Sequence, residues 1–130
     1  MMHKNIPKIF IFIDTYDDKV FKHINTKIGV IYRNYNSNKR YEDLVKIASI
    51  CKKRNYHLFV SNDIRLAPKI KADGIYIPSL NKIGVNYLNL DKKNFLIMGS
   101  AHNQKEINEK IKQNCKIIFL SPLFQTSKYR

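Results

Sequence analysis

Apolar residues in this chain gather in six short runs, at 9–13, 28–32, 56–60, 74–77, 95–98 and 117–120. Each run is short and rich in Ile, Val, Phe or Tyr, the signature of a strand buried on both faces. Amphipathic stretches separate them. Across 41–53, Leu44, Ile47, Ala48 and Cys51 recur at helical spacing while Lys46, Lys52 and Lys53 fall on the other side, which predicts a helix. A second helix is expected over 104–113. Asn103 can cap it, Glu106 stands at capping-box distance, and Ile107 and Ile111 supply the expected buried stripe. A short first helix is expected over 17–24, with Asp14, Asp17 and Asp18 serving its start and not a metal. Over 64–71, Pro68 limits the third crossover to one or two turns.

Strands alternating with helices in this way form a parallel sheet with crossover connections. An open doubly wound sheet and part of a (β/α)8 barrel both satisfy the pattern, and periodicity does not choose between them. In either case ligands bind where strands end. Those positions hold Asp14, Arg33, Ser61-Asn62-Asp63, Pro78 to Asn81, Gly99 to Asn103, and Ser121 onward. Ser100, Ser121, Thr126 and Ser127 can donate hydrogen bonds, and Arg33 and Lys128 carry positive charge. Together with backbone N–H groups after Asn103, this is the chemistry of a phosphate or pyrophosphate site. Ser, Asn and Asp at such junctions also serve as caps and turn formers. His102 is an imidazole within that set; His3, His23 and His57 are outside it.

Length and charge narrow the picture only a little. The chain of 130 residues fits one domain, 1–130, and its 44% apolar content is ordinary for a folded protein. The longest early apolar run ends at Asp14 and lacks the small-residue site of a secretory signal, so a cytoplasmic protein without a membrane segment is expected. Cys51 and Cys115 are expected to be free thiols. The formal net charge is +14, but the lysines are spread along the whole length. Tyr and Phe fall inside apolar runs and not between basic residues, which argues against a nucleic-acid surface.

Three blocks then resemble a known family in order and spacing. They are Ala72-Asp73-Gly74-Ile75-Tyr76-Ile77, Gly99-Ser100-Ala101-His102 and Leu120-Ser121-Pro122-Leu123-Phe124-Gln125-Thr126. The segment from Val60 to Ala67 resembles the one before the first block. The family is that of thiamine phosphate synthase and TenI. The resemblance implies a TIM-type (β/α)8 barrel of which this chain supplies six βα units, the last two strands being missing. A truncated barrel and self-association through its open edges are therefore expected.

The resemblance also implies roles. A synthase joins hydroxymethylpyrimidine diphosphate to thiazole phosphate with release of pyrophosphate, assisted by Mg²⁺. Arg33, Ser100, Ser121, Thr126, Ser127 and Lys128 would grip phosphate or pyrophosphate, and Ser61, Asn62 and Asn81 would line the substrate. Asn62 and Asn81 stand where the family carries its Mg²⁺ aspartates, and Asp63 is one residue displaced. Neutral amides suit Mg²⁺ poorly. The TenI branch instead aromatises a thiazole phosphate by proton transfer, which places His102 as acid or base. A degenerate phosphate-binding module without turnover is the third reading. The expected partners are phosphorylated thiazole and pyrimidine compounds.

Overall fold

The computed structural model describes residues 6–34, 39–63, 65–81 and 95–121. Six strands form one parallel sheet: β1 (Phe10–Ile13), β2 (Gly29–Tyr32), β3 (His57–Ser61), β4 (Gly74–Ile77), β5 (Leu96–Ala101) and β6 (Ile117–Leu120). Their order in the sheet follows the chain, β1-β2-β3-β4-β5-β6, and every adjacent pair is parallel. That order decides between the two architectures. A doubly wound sheet must reverse its strand order at a switch point. This sheet never reverses, so it curls in one direction as part of a barrel.

Among the described residues, three helices and one 3₁₀ turn lie in the crossovers. The 3₁₀ turn is Asp18–Phe21, and the Asp17 carboxylate caps it by accepting from the Lys19 N–H at 3.0 Å. Helix α1 spans Arg40–Arg54 and ends on Asn55 in the left-handed region, a conformation asparagine adopts more readily than most residues. Its buried residues are Leu44, Ile47 and Cys51, on the expected stripe. Helix α2 is a single turn, Leu66–Lys69. Pro68 falls within that turn, where its missing N–H breaks no helical bond. Among the described residues, no helix is long and apolar enough to cross a membrane.

Strand alternation divides the core in two. Val30, Tyr32, Leu58, Val60, Ile75, Ile77 and Ile97 face the helices and pack with Phe21, Leu44 and Ile47. Ile31, Phe59, Tyr76, Leu96 and Met98 face the concave side, with Phe10, Phe12, Ile117 and Phe119 packed against them. The rings interlock there. Phe119 lies 5.2 Å from Phe10 in an edge-on arrangement, and Phe12 lies 5.4 Å from Tyr76. Gly74 permits the close approach of β4 to β5, since a Cβ there would run into the Leu96 carbonyl.

Helix α3 (Gln104–Lys112) corrects one expectation. Ile111 is exposed (59%), whereas Lys110 is fully buried. The helix is turned so that the i+3 position from Ile107 meets the sheet. Gly99 makes this possible: a Cβ there would lie 2.8 Å from the Lys110 Cδ, so the methylene stem runs across the bare backbone. The ammonium donates to the Asn81 carbonyl at 2.9 Å. A buried lysine is acceptable once its charge is hydrogen-bonded.

Two predictions follow from the packing. Phe59→Ala removes a fully buried ring from the concave core, and it should cost about 3–5 kcal/mol in urea or guanidinium unfolding. Burial pushes the Cys51 thiol up to about 12 and the Cys115 thiol up to about 11, against an ordinary 9.0. At pH 8 both thiols should therefore resist a disulfide-exchange reagent in the native state and react on denaturation. The raised values also mean that their contribution to stability is complete below pH 9.0 and is lost as pH rises through about 11 to 12.

Candidate functional site

The carboxyl ends of the strands form a mouth over the concave aromatic layer. Continuing each strand's alternation carries Arg33, Ser61, Ser100 and Ser121 to this rim. Contacts tie several of them together. The Arg33 guanidinium lies over the Phe12 ring, 4.9 Å from its centroid, and its Nε is 3.6 Å from the Asp14 carboxylate. Phe12 touches Tyr76, whose hydroxyl is hydrogen-bonded to the Ser100 Oγ. Arg33 and Ser100 thus stand on two neighbouring rings of one layer. Tyr76 is a participant that the sequence reading passed over, although its inward position on β4 was available from alternation alone.

Ser61 ends β3 and is fully buried; its Oγ has no hydrogen-bond partner among the described residues. Its carbonyl accepts from the Arg40 Nη2 at 2.8 Å. Arg40 is a second residue missed from sequence. Its guanidinium also bonds the Asn34 carbonyl, stacks 5.4 Å over Tyr32 and faces Asp63 at 3.8 Å. It therefore staples the end of β2 to the end of β3. A hollow of about 150 Å³ is lined by Arg40, Ser61, Asn62 and Asp63. The signal was present as the first residue of α1, but only tertiary folding reveals what it reaches.

Asn62 adopts φ 61°, in the left-handed region, and its N–H donates to the Tyr76 carbonyl at 2.9 Å. Its Oδ1 accepts from the Asn81 Nδ2 at 2.7 Å. The two amides expected near substrate are therefore bonded to one another. Asp63 is engaged elsewhere: Oδ1 accepts from the Leu66 N–H at the start of α2 at 2.9 Å, and Oδ2 faces Arg40. Mg²⁺ favours anionic oxygens in a near-octahedral shell. One carboxylate already engaged by a backbone N–H and Arg40, and two mutually bonded amides, do not fit it.

On β5, His102 follows the strand directly. Asn103 caps α3 by accepting from the Glu106 N–H at 2.9 Å. Glu106 reaches back, as a capping box requires, but one residue further than expected: its Oε1 accepts from the His102 N–H at 2.7 Å. The same oxygen is 3.1 Å from the His102 Nδ1. In the neutral ring this carboxylate holds the proton on Nδ1 and leaves Nε2 as the basic nitrogen. Ser121 is exposed, with its N–H donating to the Ala101 carbonyl. Thr126, Ser127 and Lys128 lie outside the described residues.

Comparison with known proteins fits this geometry. A family model for thiamine monophosphate synthase matches residues 20–129. The chain belongs to that family. It is similar to the thiamine-phosphate synthase of Prochlorococcus marinus subsp. pastoris (strain CCMP1986 / NIES-2087 / MED4), at 27% identity over 95 residues. That alignment covers 73% of this chain and 27% of the relative, so the chain spans well under two thirds of that synthase. The matched family region contains all of the mouth residues described above from Arg33 to Ser121.

The Glu106–His102 contact yields a direct test. Long-range ¹H–¹⁵N spectra of the histidine rings should show His102 protonated on Nδ1 when neutral. Glu106→Ala should release the ring to the commoner Nε2–H form; an unchanged spectrum would remove Glu106 as its orienting group.

Proposed function

We propose that this chain acts in thiamine biosynthesis on a phosphorylated thiazole, moving a proton with His102 as in the TenI-like reading. The observation that carries the proposal is the His102–Glu106 contact, 3.1 Å from Nδ1 to Oε1. A ring oriented by a carboxylate has one nitrogen committed and the other available for acid–base work. Tautomerisation needs only such a group: a proton leaves one atom of the thiazole precursor and a proton returns at another, with no change in composition.

Arg33 and Ser100 support phosphate binding in this reading. Arg33 is held over Phe12 with about half its side chain exposed (45%), so its guanidinium can meet an anion arriving from solvent. Ser100 presents a hydroxyl beside Tyr76. Ser121, Thr126, Ser127 and Lys128 would extend the grip, and Ser61 would line the substrate.

Synthase chemistry is the second reading, favoured by the name of the Prochlorococcus relative. Against it stand Asn62 and Asn81, whose amides are poor ligands for the Mg²⁺ that assists pyrophosphate loss. A phosphate-binding module without turnover would retain the same mouth and lack proton transfer.

One set of assays separates the three. Thiazole phosphate tautomerisation followed by NMR should proceed with the wild-type chain and fall by at least about 100-fold in His102→Asn, with an unchanged circular dichroism spectrum. Equal turnover in the variant would remove His102 from the mechanism. Pyrophosphate release that requires both substrates and Mg²⁺ would establish the synthase reading instead. Ligand binding with neither activity would leave the non-catalytic module.

A further inference from the structure

The contact between Asn62 and Asn81 occupies the place where the family resemblance implies two carboxylates sharing a divalent cation. Both amides are anchored from behind. Asn62 is fixed by its left-handed backbone and by its N–H on the Tyr76 carbonyl. The Asn81 carbonyl accepts from the buried Lys110 Nζ and from the Gln113 Nε2, each at 2.9 Å. The side chains then meet at 2.7 Å.

Charge reinforces the point. Two carboxylates in these positions would carry two negative charges and draw a cation between them. Two amides carry none. The charged groups that touch these two loops are already engaged: the α3 Lys110 ammonium bonds the Asn81 carbonyl, and the α1 Arg40 guanidinium faces Asp63. A divalent cation placed here would meet two neutral amides already bonded to each other and an Asp63 carboxylate engaged with the Leu66 N–H and Arg40.

We propose that the Asn62–Asn81 bond is a metal-free latch, fastening the β3 and β4 loops directly where a divalent cation would otherwise join them. The amides form a donor–acceptor pair, so the mouth is assembled before any ligand arrives. This inference rests on the family correspondence of the two positions and not on proton transfer by His102. Its readout is metal binding and thermal stability, so it fails or survives separately from the proposed reaction.

The decisive measurement uses the wild-type chain. Titration with Mn²⁺ followed by electron paramagnetic resonance should leave the free-ion signal undiminished. The melting temperature should be the same in EDTA and in millimolar Mg²⁺ at matched ionic strength. The double variant N62D/N81D should melt lower than wild type in EDTA, because two carboxylates then face each other, and should recover when Mg²⁺ is added. The single variant N62D, which keeps an acceptor for the Asn81 Nδ2, serves as the folded control and should need no metal. Stoichiometric Mn²⁺ binding by wild type, or a melting temperature raised by Mg²⁺, would overturn the latch. So would a double variant as stable as wild type in EDTA and indifferent to Mg²⁺, since the two side chains would then not be facing each other. If the double variant does not fold, the wild-type titration alone still decides.

Discussion

Phe119 belongs to the last strand of the sheet, yet its ring lies 5.2 Å from Phe10 and 5.8 Å from Phe12 on the first. That meeting is possible only because the sheet curls far enough to bring its two ends over one shared apolar space. Phe59 and Tyr76 complete the layer from the middle strands. Edge-on aromatic contacts fill volume with few side chains, and each adds a modest attraction beyond its burial. The layer works as the floor on which the mouth stands. Arg33 rests on Phe12 and Ser100 is bonded to Tyr76, so the positions of two phosphate candidates are set by rings below them and not by loops alone.

Much of this was legible in the chain. The β4 run matches its expected bounds, 74–77, because a strand buried on both faces has unbroken apolar sequence; the β6 run, 117–120, matches as well, although its residues are only partly buried and Leu120 is exposed. The single turn of α2 was legible from Pro68. Three things were not. Strand order is a non-local property, and only the completed sheet distinguished a barrel from a doubly wound fold. The face of α3 was misjudged because hydrophobicity favoured Ile111, whereas the bare backbone of Gly99 admitted the stem of Lys110. Arg40 lies one residue ahead of the helix expected across 41–53, and its reach to Ser61 and Asn34 depends on where β2 and β3 finish.

The same distinction runs through the mouth. Motif spacing singled out His102, Ser100, Asn62 and Asn81 as candidates, and the structure shows what each of them contacts. Glu106 was expected to cap a helix. It does reach back over the first turn, but it spends the same carboxylate oxygen on the backbone and the ring of His102. A helix-start motif thereby becomes an orienting device for an imidazole. No extra residue is needed, since the i,i+4 spacing that stacks side chains on a helix face also brings Glu106 to the residue before the cap.

These two arrangements constrain the chemistry in the same direction. Ionising a carbon–oxygen bond to pyrophosphate leaves concentrated charge that a divalent cation neutralises well and amides do not. Moving a proton on a heterocycle spreads much less charge and asks mainly for a base held in one orientation. Asn62 and Asn81 spend their polar groups on each other, while His102 is held by a carboxylate. Neutral amides after β3 and β4 would hinder the first reaction and leave the second untouched. An imidazole held by a carboxylate, together with two amides bonded to each other, therefore suits the proposed proton transfer better than metal-assisted loss of pyrophosphate.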